Sequence, residues 1–320
     1  LSVPLVAFVP EGADLVLVAR PAVVLESPVL ASLVTAVVPD DRLEAFAQRT
    51  GVDLRRLREA VVADYGPEGS LWLARGPFDA SLAVTEVAER LATLESRADA
   101  PLTRCAGFVG NDRLEVVALA PDALVLARGE GAVRPLGALL ACRLGRACRP
   151  ALAPESVRAL LRAHASEPIA VYAPRGIELP EGVGAQALFA GVVAGVASIR
   201  APRFPEVRSP RASAGAVGLD PASAGRSPGD VSNTVTLTLD LRGRFPATVA
   251  ENLRALLRAV GASAMGGAFG LEEIGDTARI DVGPGRVTVT LEIAAPAFRV
   301  GLRALAGAEL AELVGGASSP

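Results

Sequence analysis

The feature that most limits what this chain can fold into is its repeated switch between two hydrophobic periods. Val235–Leu241 reads V-T-L-T-L-D-L, apolar at every second residue, which predicts a strand with one covered face. Further strands are predicted at Leu15–Ala19, Val61–Tyr65, Leu71–Ala74, Arg104–Val109, Leu114–Leu119, Ala123–Ala127 and Ile169–Ala173. Neighbouring strands are joined by short turns such as Gly66-Pro67-Glu68-Gly69, Gly110-Asn111-Asp112 and Pro121-Asp122, so they pair antiparallel. A last hairpin is predicted over Ala278–Val282 and Val287–Ile293, around Gly283-Pro284-Gly285.

Between these runs the period lengthens. Ser27-Pro28 opens a helix to about Val38 as N-cap and first helical residue. Asp40 caps a second helix, Arg42–Arg49, which Gly51 stops. After Phe78-Asp79, the residues Val84, Val87, Ala88, Leu91 and Leu94 fall on one helical face. Helices are also predicted at about Pro135–Leu144, Glu155–Ala165, Val249–Val260 and Phe298–Leu313. Val183–Ile199, rich in Ala, Gly and Val, reads as a buried helix rather than a membrane span, because it is short for spanning and carries Gln186. This order predicts an α+β fold, with mostly antiparallel sheets and helices packed on one face.

The chain reads as two loosely repeated halves, 1–150 and 151–320. Gly76-Pro77-Phe78-Asp79-Ala80 and Gly243-Arg244-Phe245-Pro246-Ala247 share a G-x-F-x-A pattern, and each leads into a helix carrying a Val-Ala-Glu stretch. A strand, this turn, a helix, a hairpin and a final helix recur in the same order, which favours duplication. Residues 202–232, rich in Pro, Ser, Gly, Ala and Arg without periodicity, read as a flexible loop in the second half.

Composition excludes more chemistry than it suggests. All 32 basic residues are arginine, so no lysine serves a phosphate loop or a Schiff base. One histidine excludes a multi-histidine metal centre. A net charge of −3 and 4% aromatic residues do not suit nucleic-acid binding. Gly129-Glu130-Gly131 lacks the spacing and the parallel unit of a dinucleotide loop. Gly261–Gly267 is not a nucleophile elbow, since position 265 is Met. Glu272, Glu273 and Asp276 lack calcium-loop spacing and read as a solvated turn.

Two features remain. His164, near the end of a helix, suits a capping or packing role, with catalysis as the alternative. Cys142 and Cys148 are a candidate disulfide if the compartment is oxidising, whereas Cys105 in its strand reads as core. No catalytic, cofactor-binding or metal-binding residue is assigned.

The sequence opens Leu1-Ser2-Val3 without methionine, which fits a removed secretory or lipoprotein signal. Leu1–Pro10 then reads as the spacer of a tethered domain. Stretches such as ADLVLVARP (13–21), TGVDLRRLREAVVADYG (50–66), LWLARGPFDA (71–80) and VTLTLDLRGRFPATVAENLRALL (235–257) resemble uncharacterised exported or lipid-anchored proteins of GC-rich bacteria. The resemblance implies a location in the periplasm or at the outer membrane. It implies no activity, and the anchoring cysteine would precede Leu1. The functional expectation is a non-catalytic binding or scaffolding protein of the cell envelope, with an apolar small molecule or a protein as partner. The alternative is a hydrolase using carboxylates or His164.

Overall fold

The computed structural model describes residues 3–96, 102–146, 149–177, 186–201 and 233–303. In the first half, β1 (Leu15–Ala19) leads through α1 (Pro21–Glu26), α2 (Pro28–Val37) and α3 (Asp40–Thr50) to the hairpin β2 (Glu59–Asp64) and β3 (Ser70–Arg75). Next come α4 (Ala80–Ala88), the meander β4 (Ala92–Ser96), β5 (Arg104–Val109), β6 (Asp112–Ala120) and β7 (Ala123–Arg128), and α5 (Val133–Arg143). α6 (Glu155–Ala163) crosses to the second half, which starts with β8 (Ile169–Ala173), a short α7 (Gln186–Phe189), β9 (Val192–Arg200) and β10 (Thr234–Gly243). It continues with α8 (Val249–Gly261), α9 (Ala264–Ala268), α10 (Ile274–Thr277) and the hairpin β11 (Arg279–Gly283) and β12 (Arg286–Ala294). A further helix covers 295–303.

The expected α+β plan is the plan of the molecule, and its strands join in one antiparallel sheet of twelve. The sheet is continuous across the two halves because β1 pairs with β8, from Val16↔Tyr172 to Ala19↔Ile169. Outward from this pair the order is β1-β2-β3-β7-β6 on one side and β8-β9-β10-β12-β11 on the other, with β5 and β4 extending the first side. The G-x-F turn follows β3 in one half and β10 in the other. A Cβ at Gly243 would lie 2.1 Å from the Gly191 carbonyl oxygen, and one at Gly76 would lie 2.9 Å from Leu57 Cδ2. Phe78 and Phe245 then fill the space beside the apolar clusters under α4 and α8.

Register sorts the core onto the two faces of the sheet. Val16, Val61, Leu73, Val125 and Tyr172 share one face with Leu5, with Leu136 and Leu139 of α5, and with Val157 and Leu160 of α6. On the opposite face, Leu241, Val287, Val289 and Leu291 meet Val249 and Leu253 of α8 and Ile274 of α10. α2 and the 295–303 helix pack over Ile169 and Ile199 on that same face, and Val84 of α4 over Val116 and Ala118. The helices therefore occupy both faces of the sheet.

Four expectations change. The helix predicted over Val183–Ile199 is the short α7 followed by strand β9, with 183–185 outside the described residues. One face of β9 is buried and the other runs from exposed Val193 to half-buried Ala197 and Ile199, yet its sequence V-V-A-G-V-A-S-I-R is apolar on both and lacks a period-2 signal. The helix after Asp79 ends at Ala88, and Leu94 falls in β4, which pairs with β5. Leu1–Pro10 is not a spacer: Leu5 and Val9 are fully buried, and Leu5 N–H donates to Glu59 Oε1 at 2.8 Å. The predicted last helix is described to residue 303 and starts at 295. The predicted loop 202–232 lies outside the described residues.

Candidate functional site

α6 is amphipathic. Val157 and Leu160 are wholly buried against the sheet, each contributing roughly 1.5–3 kcal/mol of apolar burial. His164 is its C-cap, its N–H donating to the Leu160 carbonyl at 2.9 Å. The helix thereby turns the imidazole down onto the sheet, where core residues give way to polar ones. Nδ1 lies 3.1 Å from Ser198 Oγ on β9, and Nε2 lies 3.6 Å from Asp240 Oδ2 on β10.

Asp240 is fully buried, and Arg286 of β12 donates to both of its oxygens, at 3.1 and 2.7 Å. Arg242 stands 3.7 Å away. Burial alone raises the carboxyl, but contacts with His164 and Arg286 and the charges of Arg286 and Arg242 outweigh it. The carboxyl is held below the ordinary carboxylate range. An ionised carboxylate only accepts hydrogen bonds, so an imidazole N–H faces Asp240, while Nδ1 and the Ser198 hydroxyl share a hydrogen bond.

Serine, histidine and aspartate thus meet in the order of a hydrolytic triad. Access separates this cluster from one. Ser198 is 3% exposed, sits mid-strand between Ala170 and Thr238, and lines none of the cavities described here. The geometry fixes the end of α6 to the sheet, the capping and packing role predicted for His164. Ser198, Asp240 and Arg286 carry no sequence signal: T-L-D-L and G-R-V-T alternate like other strands, and only pairing brings them together.

The second feature is apolar. A cavity of about 300 Å³ lies between α2 and the 295–303 helix, over β8 and β9. Leu30, Leu33, Val34, Ile169, Ile199 and Phe298 are among its ten lining residues, all of them apolar. Its volume is at the lower end for small-molecule pockets. It opens to solvent and no polar side chain lines it, so it presents an apolar surface to whatever enters. A larger cleft of about 800 Å³, beside Asp14, Tyr65 and Arg134, is mixed in character. Arg175 pairs with Asp14 at 2.9 Å there, and Arg134 faces Glu68 at 3.8 Å.

Of the cysteines, Cys142 is on the last turn of α5 and Cys148 lies outside the described residues. Cys105 is a free, buried thiol whose ionisation burial pushes up, and its Sγ donates to the Val84 carbonyl. Gly129 precedes a 3-10 turn at Glu130–Ala132 that packs on Glu68, with no room for a Cβ at Gly131. Glu272, Glu273 and Asp276 are exposed, and Asp276 accepts from Arg258 at 2.8 Å. Among the described residues no cluster of three metal-ligating side chains occurs, and no helix is long and apolar enough to cross a membrane.

Comparison with known proteins bears on the fold. Crystal form III of TP0453 aligns over 95% of this chain and 99% of that chain, with a TM-score of 0.53 and 13% identity. Crystal form I of TP0453 aligns over the same shares, with a TM-score of 0.51 and 14% identity. No family model and no curated protein matches the chain.

Proposed function

We propose that this chain is a non-catalytic binding protein of the bacterial cell envelope, exported from the cytoplasm, whose ligand is an apolar small molecule held over β8 and β9. The observation that carries this reading is the wholly apolar cavity beneath α2. A core residue normally meets neighbours on all sides, whereas Leu33, Ile169 and Ile199 border open space there. The corresponding strand orders of the two halves accord with a duplicated unit, and the cavity lies beside the central β1–β8 pair at which the halves meet. Export and an anchor upstream of Leu1 rest on the sequence resemblance, as does an oxidising compartment in which Cys142 and Cys148 bond.

Two experiments test the reading. Titration with the apolar fluorophore N-phenyl-1-naphthylamine should show saturable enhancement that Leu33→Trp, which fills the cavity, removes. Equal binding by wild type and Leu33→Trp defeats the assignment. A compartment reporter fused to the full-length gene should be active outside the cytoplasm, and a purely cytoplasmic signal rejects the location.

A further inference from the structure

On the other face of the sheet, a groove of about 560 Å³ runs between the Leu5–Phe8 turn and α6. Its floor is Val18, Ala170 and Tyr172, and Val6 and Leu161 form its flanks. We infer that this groove is a second ligand site, independent of the apolar cavity, and that it takes an apolar molecule ending in a carboxylate.

Three observations carry the inference. Tyr172 is 1% exposed and lines the groove, and a phenol so placed offers a polar tip to whatever occupies it. Burial raises its ionisation to about 12 against the opposing charge of Arg20, so at neutral pH the hydroxyl is a donor. Arg75 is nine-tenths buried and lines the groove, with its Nε unpartnered. Its Nη1 reaches Glu59 only at 3.4 Å, and its Nη2 donates to the Val3 carbonyl. Arg20 lies close enough to Tyr172 to act on its hydroxyl, donates to the Ala165 carbonyl, and has no carboxylate partner among the described residues.

The balance of charge sets the sign of the ligand. The acids of the groove are already engaged: Asp122 by Arg58 at 2.5 Å, Glu167 by Arg200, and Glu59 by Arg75 and Leu5 N–H. Arg162, at the mouth, is held by Glu155 from outside the groove. Cationic donors therefore outnumber acids around the groove, His164 and Glu167 also line it, and Val6, Val18, Leu161 and Ala170 form its apolar walls. A carboxylate placed there would accept from Arg20 and from the Tyr172 hydroxyl, with its chain along Val18 and Ala170.

Isothermal titration of the full chain with decanoate tests this, with decan-1-ol as the uncharged control. Decanoate should bind saturably and more tightly than decanol. Arg20→Gln and Tyr172→Phe should each weaken it about tenfold, the loss of one charge-assisted contact. Leu33→Trp, which fills the cavity on the opposite face, should leave decanoate affinity within about twofold, so the groove and the cavity fail separately. Arg20→Gln changes a partly exposed side chain and serves alone should Tyr172→Phe perturb the core. Absence of saturable decanoate binding overturns the inference. So does binding that neither variant weakens, or that only Leu33→Trp removes.

Discussion

Replacing Asp240 by asparagine preserves shape while removing the charge at the centre of the polar cluster. The carboxylate is fully buried and accepts two hydrogen bonds from Arg286, with His164 at 3.6 Å and Arg242 at 3.7 Å. Breaking a wholly buried pair destabilises by about 3–5 kcal/mol. Arg286 is 44% exposed and regains water, which reduces the loss to about 2 kcal/mol, near that of one charged hydrogen bond. The pH dependence has a fixed sign. Burial raises the Asp240 carboxyl, but its contacts with His164 and Arg286 and the neighbouring charges outweigh burial and lower it in the folded state. Its contribution is therefore complete above the unfolded carboxylate value of about 3.9 and is lost as pH falls through the lower folded value. Urea unfolding of wild type and Asp240→Asn at pH 7, 5 and 3 measures the gap. It should stay constant from pH 7 to 5 and narrow towards pH 3. A gap under about 0.5 kcal/mol at pH 7, within the range of a surface substitution, refutes the reasoning, as does one that widens in acid.

Three further outcomes follow from the structure. Ser198→Ala should destabilise by about 1 kcal/mol, the loss of one neutral hydrogen bond, measured by the same unfolding; a loss above about 3 kcal/mol contradicts the hydrogen-bond assignment. Gly243→Ala should reduce stability by more than about 2 kcal/mol, because its Cβ meets the Gly191 backbone rather than a yielding side chain, and an unchanged thermal midpoint would remove that account. Denatured protein from its native compartment should alkylate one cysteine before reduction and three after it, by intact mass, with Cys142 and Cys148 among those released. Three modified thiols without reduction reject the bond, whose stabilising contribution would be about 2–3 kcal/mol.

The elements with one solvated face were legible. β12 and α8 each contrast a covered face with a wet one, and β10 alternates in residue type although Asp240 on its polar face is buried. Legibility failed in β9, whose Ala/Val/Gly run is apolar on both faces and has no period to read. It also failed at Leu5–Phe8, a single turn too short for any period, whose burial depends on strands far along the chain. The site followed the same rule. His164 stood out as the chain's one histidine, but Ser198, Asp240 and Arg286 reach it through the β9-β10-β12 register. The apolar cavity belongs to no motif. It arises where α2 and the 295–303 helix leave β8 and β9 incompletely covered.

The most direct test of the binding account uses the isoleucine methyls. Of the six isoleucines, Ile169 and Ile199 line the cavity, while Ile177, Ile274, Ile280 and Ile293 pack in the cluster under α8. In methyl-labelled protein titrated with N-phenyl-1-naphthylamine, the Ile169 and Ile199 signals should shift together and saturate, with the other four unmoved. Saturable shifts centred on Ile274 and Ile280, or none at Ile169 and Ile199, contradict the account.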